Sequence, residues 1–192
     1  MDIILDDNKR YTYADYLTWL DDKRRELING FVSLMTPAPA RLHQKVSGSI
    51  FNKLYNFLSN KNCEVYSAPF DVRLPKNGNK TDDKIYDVVQ PDITVVCDPE
   101  KLDDKGCIGA PDLIVEILSP STRKRDLTDK YELYEQSGVK EYWIARPGEK
   151  TIQKFVLNKD MKYEFKGTFT EDTTISPDIF PDLQIDISSV FK

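Results

Sequence analysis

The stretch "PDLIVEILSPSTRKRD", Pro111 to Asp126, decides the fold and poses the functional question. Ile114, Val115, Ile117 and Leu118 make it read as a buried strand, yet Glu116 stands in the middle of the apolar run. A buried carboxylate needs a partner, a metal ion or a raised pKa to offset its lost hydration. Strand alternation puts Leu113, Val115 and Ile117 on one face and Ile114, Glu116 and Leu118 on the other. In the preceding strand-like run, "VVQPDITVV", Asp92 follows Pro91 and is likewise embedded among apolar residues. Two carboxylates on neighbouring strands can share one hard cation. Mg²⁺ commonly takes one or two protein carboxylates and completes its shell with water and phosphate oxygens. A Lys or Arg partner for Glu116, and a turn-capping role for Asp92, are the competing structural explanations.

Working outward, "SPST" ends the strand, and Arg123, Lys124 and Arg125 supply three cations that either face water or contact backbone phosphates. The next helix is predicted over 127–137, with Asp126 as N-cap and Gly138 just past its end. Lys130 shares a face with Asp126 and Tyr134, so its stem can pack inward. Beside a cation site it would stabilise the charge developing on a phosphorane; otherwise it pairs with Asp126 or Asp129. Read singly, Glu26 is a hairpin charge and His43 a helix-start hydrogen-bonding group.

The remaining elements follow from local signals. Thr12 with Asp15 predicts a capped helix whose apolar face is Tyr13, Tyr16, Leu17 and Leu20. Asn29-Gly30 predicts a hairpin in "RELINGFVSLM", and apolar spacing predicts a helix over 44–58. Strands are expected in "EVYSAPFDVRL", "VVQPDITVVCD" and "KYEFKGTF", and a hairpin about Pro147-Gly148. "PKNGNKTDDKIYD" and "PEKLDDKG" are expected as surface loops. The sum is one domain over residues 1–192, an α/β (mixed α+β) fold with a mixed β-sheet flanked by helices.

Composition narrows the function. Hydrophobic residues at 40 % suffice for a core without staples, and the net charge of −5 argues against a protein that coats nucleic acid non-specifically. Cys63, Cys97 and Cys107 form no CxxC pair, so reduced thiols in a cytoplasmic protein are expected, and zinc is not. The start "MDIILDDNKRYTY" lacks a signal-peptide pattern, and no run is long enough to cross a bilayer. No membrane partner is expected. Dinucleotide fingerprints, phosphate-binding P-loops and serine nucleophile elbows are absent.

"RELINGFVSLM" with "HQKV", "PFDVRL", "VVQPDITVV", "APDLIVEILSPST", "DLTDKYELYEQSGVKEYWIA" and "IFPDLQIDISSVF" occur in this order. Together, from about Tyr11 to Phe191, they resemble a bacterial family of uncharacterised proteins grouped with restriction endonucleases in the PD-(D/E)XK nuclease superfamily. The resemblance implies a restriction-endonuclease-like core and Mg²⁺- or Mn²⁺-dependent phosphodiester hydrolysis leaving a 5′-phosphate, with DNA the expected nucleic acid. It matches Pro91-Asp92 to the "PD" element, Glu116 to the acid of "(D/E)XK", and the Ile117 carbonyl to a further metal ligand. Glu26 matches an acid supplied from the N-terminal part of related nucleases, and His43 a histidine common in the family. The motif's lysine would stand at position 118, which is Leu118 here; Lys130 is the candidate replacement. Asp92, Glu116, Lys130, Glu26 and His43 are thus the expected catalytic set, with Asp92 and Glu116 holding the metal. A non-enzymatic interaction or scaffold protein on the same fold is the alternative, and a binding module without hydrolysis ranks last. A two-fold homodimer is the assembly expected on general grounds, with Tyr134, Tyr142 and Trp143 serving either its interface or the core.

Overall fold

The computed structural model describes residues 3, 5–35, 40–119 and 127–192. Arg123, Lys124, Arg125 and the proposed Asp126 cap lie outside the described residues. The architecture is mixed α/β, built on β9 (Leu113–Ile117), in which all five residues are buried. Alternation along β9 feeds two separate cores. Leu113, Val115 and Ile117 enter one cluster, and Ile114 enters another with Leu118 packed against it. β9 pairs parallel with β10 (Glu141–Arg146) and antiparallel with β6 (Ile93–Val96). The sheet continues from β10 through β11 (Thr151–Leu157) to β12 (Tyr163–Phe169), and from β6 to β3 (Glu64–Ser67).

A second six-stranded mixed sheet covers part of one face. It consists of the hairpin β1 (Arg25–Ile28) and β2 (Phe31–Leu34), then β5 (Val88–Val89), β4 (Val72–Arg73), β8 (Gly106–Ile108) and β7 (Leu102–Asp103). One mixed sheet was expected; the described residues form two. The cause is visible in the chain. The runs 64–74 and 88–98 each break near a proline, Pro69 and Pro91, which has no N–H to give a ladder. Each half then joins a different sheet. The expected loop at 99–106 contains a short 3₁₀ turn, Pro99–Lys101, and the β7–β8 hairpin.

Helices fill the faces. α2 (Arg41–Leu58) buries Val46, Ile50, Leu54 and Leu58 against the first core, three residues longer at its start than its apolar spacing indicated. α3 (Asp129–Ser137) buries Leu133 and Tyr134 in the second core and ends at Gly138, whose φ of +87° is the left-handed cap that glycine accepts without steric cost. α1 (Tyr13–Tyr16) has the predicted Thr12–Asp15 capping box but stops after four residues. Leu17 and Leu20 therefore do not form its apolar face, and Leu20 is 92 % exposed. Tyr134, Tyr142 and Trp143 are buried, which places them in the core and removes them from any subunit interface. The chain closes with the two-stranded β13 (Thr174–Ile175) and β14 (Ile185–Asp186) and the turn α4 (Ser188–Phe191), all against the first core. Among the described residues no helix is long and apolar enough to cross a membrane.

Two contacts fix the register of β6 on β9. Asp92, just before β6, accepts the N–H of Ile117 at 2.7 Å; Asp112, just before β9, accepts the N–H of Cys97 at 2.7 Å. The β3–β6 register also puts Cys63 directly across from Cys97, and the two are joined in a disulfide, where reduced thiols were expected. Spacing along the chain cannot reveal such a pair, because strand register brings it together. Cys107 is free and buried, and burial pushes its thiol up to about 12.

Leu113→Ala, which empties space in a closed core, should cost about 2–5 kcal/mol of unfolding free energy in urea titrations. Leu20→Ala should stay within about 0.5 kcal/mol of the parent, because the side chain already lies in water.

Candidate active site

The β6–β9 register extended by one residue places Asp92 across from Glu116 at the end of the sheet where β9 finishes. Glu116 is 4 % exposed and faces the second sheet. From that sheet β1 contributes Glu26, completely buried, and α3 contributes Lys130, 3 % exposed. The Lys130 ammonium lies 2.8 Å from Glu26 Oε1 and 2.8 Å from Glu116 Oε1. Tyr134, one helical turn after Lys130, donates its hydroxyl to Glu116 Oε1 at 2.8 Å, and the backbone N–H of Gln90 donates to Glu26 Oε1 at 3.0 Å. Desolvation, aided by the Glu116 carboxylate, raises the Tyr134 phenol well above its ordinary value. It stays protonated and donating.

Asp92 is less buried. Its Oδ2 accepts from Ile117 and lies 3.2 Å from His43 Nε2 at the start of α2, while its carbonyl accepts from Ala68 at 3.1 Å. The structure thus brings Glu26, Glu116 and Lys130 into direct contact, with Asp92 beside Glu116 and His43 on Asp92. Lys130 reaches across to the two glutamates. Position 118 does not supply the cation, since Leu118 packs on the second core.

Two carboxyl groups face one ammonium in the triad, and Asp92 adds a third carboxyl nearby. The donor set fits a hard divalent ion in kind: carboxylate oxygens opposite each other at a sheet end, of which Mg²⁺ needs one or two. Among the described residues no group of three or more His, Cys, Asp or Glu side chains converges as a metal cage.

Two contributors were missed at the level of sequence. Tyr134 had a signal, its position four residues after Lys130. Gln90 had only its place before Pro91-Asp92.

Lys130→Met should destabilise the fold by about 3–5 kcal/mol at neutral pH, because it leaves two buried carboxylates facing one another. Tyr134→Phe should cost about 1.5–3 kcal/mol for the lost hydrogen bond to a charged group. In the wild type, the raised Tyr134 pKa gives stability that is complete below the unfolded value near 10 and declines as pH rises toward the folded value. The difference between wild type and Tyr134→Phe should therefore narrow above pH 10, measured by urea unfolding across that range.

A crystal structure described as "a putative nuclease belonging to DUF820", from Anabaena variabilis, superposes with a TM-score of 0.72. It covers 94 % of this chain and 97 % of its own at 18 % identity, a likeness of fold. The "Uncharacterized protein slr1290" of Synechocystis is 29 % identical over 122 residues, 62 % of this chain. This chain spans about 60 % of the length of that curated relative. The family model described as "Putative restriction endonuclease" matches residues 13–188, and the chain belongs to that family, Uma2.

Proposed function

We propose that the chain is a metal-dependent endonuclease that hydrolyses phosphodiester bonds of nucleic acid, DNA in the first instance, with residues 1–192 acting as one domain. The observation that carries this reading is the opposition of Asp92 and Glu116 at the sheet end, with Lys130 seated on Glu116. Asp92 and Glu116 would hold Mg²⁺ or Mn²⁺, and the bound ion supplies positive charge to the phosphate under attack. The protein's own groups prepare that place. Lys130 and Tyr134 both engage Glu116 Oε1 and so fix the carboxylate's orientation. Glu26 holds Lys130 from the other sheet, and His43 with the Ile117 N–H orients Asp92. The buried surroundings strengthen each of these contacts relative to water.

One observation favours a second reading, a non-catalytic interaction protein on the same fold. Glu116 already has an ammonium and a phenol as partners, so its burial is accounted for without an ion. The two readings part on metal uptake. In calorimetric titration of Mn²⁺ into chelator-treated protein, the endonuclease reading expects saturable binding that Glu116→Gln and Asp92→Asn each abolish, and Mn²⁺-dependent cleavage lost in the same variants. No uptake through the millimolar range, with the wild type folded and no cleavage of any strand form, would leave the interaction protein.

A further inference from the structure

Two cavities meet at Gln90. One, of about 260 Å³, is walled in part by Tyr16, Trp19 and Arg24; the other, of about 470 Å³, by Tyr66 and Phe70. Gln90 lines both, and its side chain ties their walls together. Its Oε1 accepts from Arg24 Nε at 3.0 Å and Nη2 at 2.8 Å. Its Nε2 donates to Asp71 Oδ1 at 2.8 Å and to the Tyr16 hydroxyl at 3.3 Å. The same residue's backbone N–H donates to Glu26, the carboxylate that holds Lys130, and the next residues along the chain are Pro91 and Asp92. Gln90 is therefore the link between the two cavities and the candidate active site.

Their chemistry is complementary to a particular form of nucleic acid. Arg24 is exposed, and its guanidinium is oriented by a neutral amide. A fork of this kind matches a phosphate. Asp21 and Asp22 line the same cavity with Lys23 and Arg25, and Asp21 is taken up by Arg25. In the larger cavity Tyr66 and Phe70 stack with ring centroids 4.0 Å apart and planes within 2°, both partly exposed. Asp103 and Asp104 share that cavity, which disfavours phosphate there and offers acceptors to the amino groups of a base. Aromatic platforms beside a fixed cation suit bases that are already unstacked, as in a single strand. A duplex keeps its bases stacked inside and offers no free base face to such a platform.

Resting on the endonuclease reading for the class of ligand, we propose that this groove binds unpaired nucleotides of single-stranded nucleic acid, with Arg24 on a backbone phosphate and the Tyr66–Phe70 stack against an adjacent base. The test is fluorescence anisotropy with a labelled strand of alternating deoxyadenosine and deoxycytidine, about 12 nucleotides long and within the usual footprint of such grooves, and with its duplex, both in chelator so that no cleavage intervenes. The single strand should bind at least ~10-fold more tightly than the duplex, and Arg24→Met and Tyr66→Leu should each weaken it by about 10-fold, in line with one lost contact of this type. Arg24→Lys should fall between. Arg24→Met should take up Mn²⁺ as the wild type does, which separates groove from metal site and verifies the fold. Duplex binding equal to or tighter than single-strand binding, or full affinity in Arg24→Met and Tyr66→Leu, overturns the groove. If Mn²⁺ is bound and duplex is cut while single strands are ignored, the groove fails and the endonuclease reading stands. If neither strand form binds and Mn²⁺ is not taken up, both fail.

Discussion

A single buried ammonium joins the two sheets. Lys130 is donated by α3, Glu116 by the first sheet and Glu26 by the second, so three separate parts of the chain are held at one point. Hydrophobic contact alone would let these layers slide, because apolar packing is non-directional. The ion triad is directional, and a displacement of any layer would strand a charge in an apolar surround. Such a triad contributes little net stability compared with an apolar substitute of equal shape. Its physical effect is to specify how the layers meet.

A second buried pair shows that this is not the only use of charge inside the molecule. Glu141 on β10 is buried, accepts from Trp143 Nε1 at 2.6 Å and lies 3.4 Å from the Lys154 ammonium on β11. Desolvation raises the Glu141 carboxyl despite the opposing lysine. This pair belongs to the face with α2 and the C-terminal segment, whereas the Glu26–Lys130–Glu116 triad opens toward Asp92 and Gln90. Burial of charge is common to both places; what distinguishes the triad is its link through the Gln90 N–H to the residues leading into Asp92.

Much of this was legible in the chain. The alternation in "DLIVEIL" sorts its residues into the two cores as observed, and Asn29-Gly30 and Gly138 mark turns through backbone conformations that those residues tolerate. The inward turn of Lys130 was legible because its position on the helix face constrains its direction, and it meets Glu116. The division into two sheets was not, since a proline within an apolar run reports a break and not the destination of each half. The short α1 was missed because its capping signal is local, while the burial that would extend it depends on distant parts of the chain. The Cys63–Cys97 bond and the Gln90 hub are products of register between strands far apart in sequence. Charge balance in the triad belongs to the same class: each residue looks ordinary alone.

The two Pro-Asp pairs have a structural consequence of another kind. Asp92 and Asp112 are related by a local two-fold axis through the β6–β9 ladder, each sealing the far end of the other's strand with the same contact. The pair of strands is consequently indexed from both ends, like a ruler fixed at each extremity. A residue inserted or deleted in either strand cannot be absorbed by slipping, because one seal would have to open and every side chain beyond it would change face. Asp92 is thereby tied to the length of its strand, and this corner of the fold can vary in side-chain identity far more readily than in spacing.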